Sequence, residues 1–508
     1  MTGTTTTPST STSTSTTAAP AGSAADARSA ARTAARLATL RAAAPYLREW
    51  LGTQLATRRV PGVQVCVRYA GEVVLDDAFG LADVTTGEAL TTEHLFRIAS
   101  HSKTFTGTAI LQLVEAGRLR LDDTVAHWVP ELAGSDLEAV TLRELLGHQG
   151  GVLRDGVDCD YWQLGGDFPD RAALLAMVRA DGKVYARNEH FKYSNLGYGL
   201  LGLVIEAVTG AGFAEHLAAA VLAPLGLVRT GAEYEPARAA EYAAGHTGLL
   251  DGEATRLTID HVDTRALAAA TGFYSTAHEL SRYAEAHVMG DTTLLSDDSK
   301  RLMQRLESIV APYGVEAGRY GVGMEVASVG DRALVGHSGG YPGHITRTFV
   351  DPVDGLAVCV LTNAVDGPAH DLAVGLVQLV DVALAPGRGP GKGPVAPAED
   401  LPPVPAGVTG RFADLWGRTD LVELGGRLVL VHPSAPSPLA GLEEVEIAPD
   451  GLRIASGPGF GSAGEAVEVG PAGPGGPAWL RTGGMTSWPV ADFLERRASM
   501  TRLPRVGV

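Results

Sequence analysis

Between Gly62 and Asp83 the chain reads "GVQVCVRYAGEVVLDDAFGLAD", two apolar runs around Gly71-Glu72, which predicts a β-hairpin. Before it, from about residue 25 to Arg58, alanine-rich sequence studded with arginine reads as a helix ended by "RVPG". After it, "RIASHSKTFTGTAILQLVEAG" places Phe105, Ala109, Ile110 and Leu113 at a helical period, with Gly117 as the stop, and predicts an amphipathic helix. From Thr141 to about Gly290 the pattern is mostly helical and loop-rich, with helices in "YGLLGLVIEAVTG" and "STAHELSRYAEAHV". Strands return in "YGVGMEVASVGDRALVGHSGG", "HITRTFVDP" and "LAVCVLTNA", and "DLAVGLVQLVDVAL" closes the run as a helix. Strands, then helices, then strands predict an α+β domain over residues 26–385, an antiparallel sheet with an inserted helical block.

Residues 386–407 are rich in Pro and Gly and read as a linker. Beyond them, residues 408–508 alternate short strands with turn signals as far as "TSWPVADFLERR", the pattern of a small all-β barrel or sandwich. The first 25 residues are low-complexity Thr, Ser and Ala. They lack the basic and apolar regions of a secretory signal and read as a disordered tail. With no long apolar run, the expected location is the cytoplasm.

A net charge of −17 removes nucleic acid and anionic membrane from the expected partners, since both need a basic face. The three cysteines, Cys66, Cys159 and Cys359, sit far apart in or near apolar stretches and read as buried free thiols.

The chemistry starts from a scarcity. The chain has 36 arginines and five lysines, yet one lysine, Lys103, stands three residues after Ser100 at a helix start. A desolvated lysine can lose its proton; an arginine cannot. Ser100 with Lys103 one turn on is therefore a nucleophile beside its base, at a helix end suited to a developing oxyanion. A capping serine with a surface lysine is the competing reading. "FKYSNLGYG" adds Tyr193 and Asn195, a phenol able to share a proton and an amide able to orient a carbonyl. "VGHSGGYPGH" adds His337, Ser338 and Gly339 at a strand end, where glycine lets a substrate backbone approach. Asp155, Asp158 and Asp160 alternate in "RDGVDCDYWQLGGDFPD", but without a glutamate at calcium-loop spacing they read as a pocket rim, not a metal site. His148 reads as structural.

Taken in order, S-x-x-K, Y-x-N and H-S-G resemble the signature of the serine β-lactamase and penicillin-binding-protein superfamily, closest to its class C β-lactamase-like branch. "LRELLGHQGGV", "GFYSTAHELSRYAEA" and "FVDPVDGLAVCVLTN" extend the resemblance over about residues 59–385. It implies a β-lactamase-like fold and a serine hydrolase working through an acyl-enzyme, without cofactor or metal. Ser100 would be the nucleophile, Lys103 and Tyr193 its proton partners in either assignment, and Asn195 a ligand of the substrate amide. The N–H groups of Ser100 and Gly340 would form the oxyanion hole, His337 would join the catalytic residues, and Ser338 and Gly339 would bind substrate along the strand beside it. Many members carry Lys-Thr-Gly where this chain has His337-Ser338-Gly339, so a fixed demand for an anionic substrate group is not expected.

The substrate class implied is a small amide or ester, plausibly a peptide with a D-residue. Alternatives are a β-lactamase, a DD-carboxypeptidase, and a non-catalytic ligand-binding relative. The resemblance extends to penicillin-binding-protein-type thioesterases, which release or cyclise peptides, there from a carrier protein, and pair this domain with a lipocalin-like one. In that arrangement the barrel would roof or narrow the active-site mouth.

Overall fold

A computed structural model describes residues 1–3, 22–250, 253–311, 316–384, 401–456, 464–473 and 476–500. Most of the expected tail, and the linker as far as residue 400, lie outside that range.

The chain opens with α1 (Gly22–Arg58), which begins inside the segment expected to be tail. The predicted hairpin follows as β1 (Gly62–Tyr69) and β2 (Glu72–Asp83), with a short β3 (Glu88–Ala89) beside it. A 3-10 turn, Ala99–His101, leads into α2 (Ser102–Glu115). The helical block includes α3 (Leu142–Leu146), α4 (Asn195–Thr209) and α5 (Ala277–Glu285). Six strands and a helix complete the domain: β4 (Ser308–Val310), β5 (Gly318–Tyr320), β6 (Glu325–Val329), β7 (Arg332–Tyr341), β8 (His344–Val350), β9 (Leu356–Thr362) and α6 (Ala369–Leu384).

The nine strands form one sheet in the order β3-β2-β1-β9-β8-β7-β6-β5-β4. Every pairing in it is antiparallel. Chain-distant β1 and β9 pair third and fourth in that order, which joins the early hairpin to the late strands.

Strand alternation gives the sheet two different cores. Val63, Val65, Val67, Val358 and Val360 face α1 and α6, packing on Trp50, Leu47 and Leu376. Gly375 has a packing reason: a Cβ there would lie 2.3 Å from the Trp50 ring, so only glycine lets α6 approach α1 this closely. Cys66, Cys359 and Leu361 face the helical block instead, with Phe105, Ile110 and Leu200. On that side α2 buries eleven of its 14 residues, so the amphipathic helix of the sequence reading is a core helix wrapped on all faces.

The C-terminal strands close into an eight-stranded antiparallel barrel. They are β10 (Gly410–Asp414), β11 (Gly417–Leu424), β12 (Arg427–Val431), β13 (Glu443–Ala448), β14 (Gly451–Ser456), β15 (Ala466–Val469), β16 (Leu480–Thr482) and β17 (Met485–Pro489). "VADFLERR", read as part of the strand pattern, is instead in α7 (Val490–Met500). Its run of long polar and acidic side chains favours a helix once Pro489 has ended the last strand.

The barrel docks on α1 and α6. Leu424, Val429, Val431 and Leu442 join the Trp50 core, and Gln54 Nε2 donates to the carbonyls of Pro433 and Ala435, both at 2.8 Å. These contacts lie on the sheet face opposite α2, so the expectation that the barrel roofs the mouth at Ser100 is corrected: it buttresses the back of the sheet. Among the described residues no single helix is long and apolar enough to cross a membrane.

Candidate active site

Ser100 lies in the 3-10 turn just before α2, half-buried, and Ala99 ahead of it takes φ 48°. That left-handed conformation is strained for a residue with a Cβ, and a packed surrounding has to hold it. The turn is wedged against β7. A Cβ on Gly339 would lie 2.2 Å from the Ile98 carbonyl oxygen and 2.3 Å from Thr346 Oγ1, so glycine is needed for the strand to approach.

At the second residue of α2, one turn past Ser100, Lys103 is entirely buried. Its Nζ lies 2.7 Å from Asn195 Oδ1, 2.9 Å from the Ala270 carbonyl and 3.2 Å from Ser100 Oγ. None of the three is a carboxylate. Burial therefore pushes the Lys103 amine well below the usual lysine range, with Asp155 opposing and Arg154 assisting. A neutral amine has two hydrogens and one lone pair. Asn195 and Ala270 take the hydrogens, which leaves the lone pair for the Ser100 hydroxyl.

Tyr193 and Asn195 arrive at the start of α4, where Ser194 caps the helix by accepting the Gly197 N–H at 2.8 Å. The Tyr193 phenol is near enough to the Ser100 hydroxyl to feel it, and its ring lies 4.6 Å from Lys103 Nζ. Burial raises the phenol above its ordinary value, so it stays protonated. Asn195 Nδ2 donates to Asp155 Oδ1 at 2.7 Å. That fixes the amide orientation and leaves one Nδ2 hydrogen for a ligand.

His337 sits one strand over but points into the core. It is 1% exposed, with Nε2 at 3.0 Å from the Tyr320 hydroxyl and Nδ1 at 2.6 Å from the Ser338 carbonyl. Burial lowers its pKa to about 4, with Glu325 opposing, so the ring is neutral near pH 7. No described hydrogen bond joins it to Ser100, Lys103 or Tyr193. Ser338 is half-buried and Gly340 exposed on the same strand.

Several neighbours were not legible as site residues. Asp155, read as rim, is buried against Asn195, while Asp158 and Asp160 point to solvent and do not converge with it. His148, read as structural, is fully buried with its ring stacked near those of Tyr193, Tyr198 and Tyr320, and is neutral because of burial. Tyr320 and Glu325 carried no sequence signal at all. Of the cysteines, Cys66 and Cys359 are buried directly opposite each other on β1 and β9, whereas Cys159 is exposed, because the loop carrying it turns its apolar residues elsewhere. All three are free thiols.

Ser100, the buried Lys103 and Tyr193 thus meet where the helical block joins the antiparallel sheet, an α+β fold of the β-lactamase-like kind. The chain belongs to the Beta-lactamase family, whose family model matches residues 47–381. It is 29% identical over 297 residues to penicillin-binding protein 4* of Bacillus subtilis (strain 168), covering 54% of this chain and 62% of that protein. It is also 29% identical over 314 residues to penicillin-binding protein 4 of Amycolatopsis lactamdurans, covering 60% of this chain and 81% of that one. The match therefore spans about three fifths of the length of the Bacillus relative. Among solved structures, SurE, also determined with D-Leu, superposes with TM-score 0.56 at 26% identity and covers 90% of this chain and all of that one. The D-amino acid amidase of Ochrobactrum anthropi SV3 complexed with D-phenylalanine aligns with TM-score 0.52 at 25% identity, covering 63% of this chain and 92% of that chain.

Proposed function

We propose that this chain is an acyl-enzyme-forming serine hydrolase acting on amides, esters or thioesters whose acyl residue has the D configuration. The observation that carries the reading is the hydrogen-bond set of Lys103: two neutral acceptors at 2.7 and 2.9 Å and the Ser100 hydroxyl at 3.2 Å. A surface or ion-paired lysine has no such arrangement. In the proposed reaction Ser100 Oγ attacks the substrate carbonyl carbon as its proton passes to Lys103 Nζ. The tetrahedral oxyanion sits between the N–H groups of Ser100 and Gly340, and the spare Asn195 hydrogen orients the acyl amide. As the bond to the leaving group breaks, the Tyr193 phenol gives it a proton and is reprotonated by Lys103. Water or an amine then attacks the ester. The D preference is supported by two structural relatives, SurE determined with D-Leu and an enzyme named for its action on D-amino acid amides.

A second reading, transfer of the acyl group to an amine, is supported by the C-terminal barrel, which matches the pairing of this domain with a lipocalin-like one in penicillin-binding-protein-type thioesterases. Intact-mass spectrometry after exposure to paired D- and L-aminoacyl esters, amides and thioesters tests both. Acylation of Ser100 by D substrates, released by water or by added amine, is the expected result. A panel that leaves the mass unchanged would remove the acyl-enzyme reading.

A further inference from the structure

Along the edge of β7 beside Ser100 one carboxylate of the protein itself, that of Glu325, is held by three donors. Strand β6 starts at Glu325, which pairs with Gly336, so from His337 to Tyr341 β7 has β8 on one side and, among the described residues, no strand on the other. Tyr341 pairs with His344 across a two-residue turn. Strand alternation from that closing pair turns the N–H groups of Ser338 and Gly340 to the open side. Gly340 is exposed there. Ser338 is not free. Its N–H and its hydroxyl both donate to Glu325 Oε1, at 3.2 and 2.7 Å, and Arg347 pairs with Oε2. Three donors, one of them a buried guanidinium, surround one carboxylate, which is a complete anion site. Burial acts to raise the Glu325 carboxyl, but the Arg347 guanidinium and the hydrogen bond from Ser338 outweigh it and hold the group ionised.

We propose that Glu325 occupies the position in which a carboxylate of the substrate, lying along this edge, would be recognised, and that it restricts the site to substrates with no anion there. This rests on the acyl-enzyme reading and narrows its substrate class to neutral or cationic leaving groups. Two carboxylates competing for Ser338 and Arg347 repel each other, and a substrate carboxylate that lost the contest would be left desolvated without a partner.

The test compares benzylpenicillin, which carries a carboxylate, with N-acetyl-D-phenylalanine methyl ester, whose leaving group is neutral. The ratio of their acylation rates, read by intact mass, is measured in the wild type, Glu325→Gln and Glu325→Ala. The ratio should rise at least about tenfold in the variants, a change of about 1.4 kcal/mol. Arg347→Ala added to Glu325→Ala should remove the rise. In parallel, acetate should raise the melting temperature of Glu325→Ala, by refilling the vacated site, and leave the wild type unmoved.

Variants that acylate with the ester at an unchanged ratio, with no stabilisation by acetate, would overturn the proposal. If neither probe acylates any form, the acyl-enzyme reading fails, and the acetate measurement still decides whether the anion site exists. If the variants do not fold, competitive inhibition of wild-type ester turnover by acetate would show an open site and count against it.

Discussion

Two lysines, Lys103 and Lys300, are sealed from solvent to the same degree, and their surroundings differ in one respect. Lys300 meets a carboxylate, Asp297, at 2.7 Å, and donates to the carbonyls of Val288 and Asp291 at 2.6 Å. Lys103 meets two neutral oxygens and a serine hydroxyl, and the nearest carboxylate, Asp155, is reached only through Asn195. Burial alone does not mark an amine for chemistry. Burial without a counter-charge does, because the charged form is the one that loses most by it. Lys300 holds a fold together; Lys103 is held by one.

The sharpest break in this comparison comes at the hydroxyl. Ser100→Ala should cost on the order of 10⁴–10⁶ in turnover and leave thermal unfolding unchanged. Activity retained at wild-type melting would end the nucleophile assignment.

Next come the lysines themselves. Lys103→Arg should lose at least about 100-fold in kcat/KM, about 2.7 kcal/mol, because arginine cannot become neutral. Lys300→Met should leave acylation intact but lower unfolding stability by about 1–3 kcal/mol, since two carbonyls lose their donor. Equal losses of activity in both variants would show that the two environments do not matter.

The pH profile sharpens the contrast further. Acylation should rise with pH through the lowered Lys103 value and then level, because the raised Tyr193 phenol does not ionise in the accessible range. His337, with a pKa of about 4, should add no step near neutrality. The Asp155 charge raises the Lys103 pKa, so Asp155→Asn should move the acid limb to lower pH and cut kcat about tenfold by loosening Asn195. A purely structural Asp155 would leave the limb where it is. In stability terms, a lysine with a lowered folded pKa penalises the native state below its unfolded pKa. Its contribution therefore improves as pH rises from the lowered value toward about 10.4, and Lys103→Met should abolish that slope.

The smallest effect on chemistry is expected at the barrel seam. Gln54→Ala should cost about 1–3 kcal/mol of stability through the two lost carbonyl partners. It should leave kcat/KM within about twofold for small and bulky substrates alike, because the seam and Ser100 lie on opposite faces of the sheet.

The fold was legible where the pattern is local. The β1–β2 hairpin, the helix stop at Gly117 and α6 all follow from periods and turn residues within single segments. The site was legible only where chemistry is written as a short motif: Ser100 with Lys103, Tyr193 with Asn195, and the triplet from His337. The partners that tune those groups are set by tertiary contact. Glu325 meets Ser338 from a different strand, Asp155 meets Asn195 across 40 residues, and Tyr320 meets His337 through the sheet. None of these pairings leaves a spacing to read. The apolar face predicted for α2 is buried, but the opposite face is buried too, for a related reason: its threonines look polar in sequence, yet Thr104, Thr106 and Thr108 spend their hydroxyls on buried partners.

The placement of the barrel behind the sheet has a practical side. Resin attachment through the barrel surface would aim the mouth at Ser100 away from the support, toward the flowing solution. The chain thus comes with a built-in handle. A bead-bound preparation should admit bulky acyl donors as freely as the protein in solution, while coupling through the rim loop around Cys159, the exposed thiol, would press the mouth against the matrix.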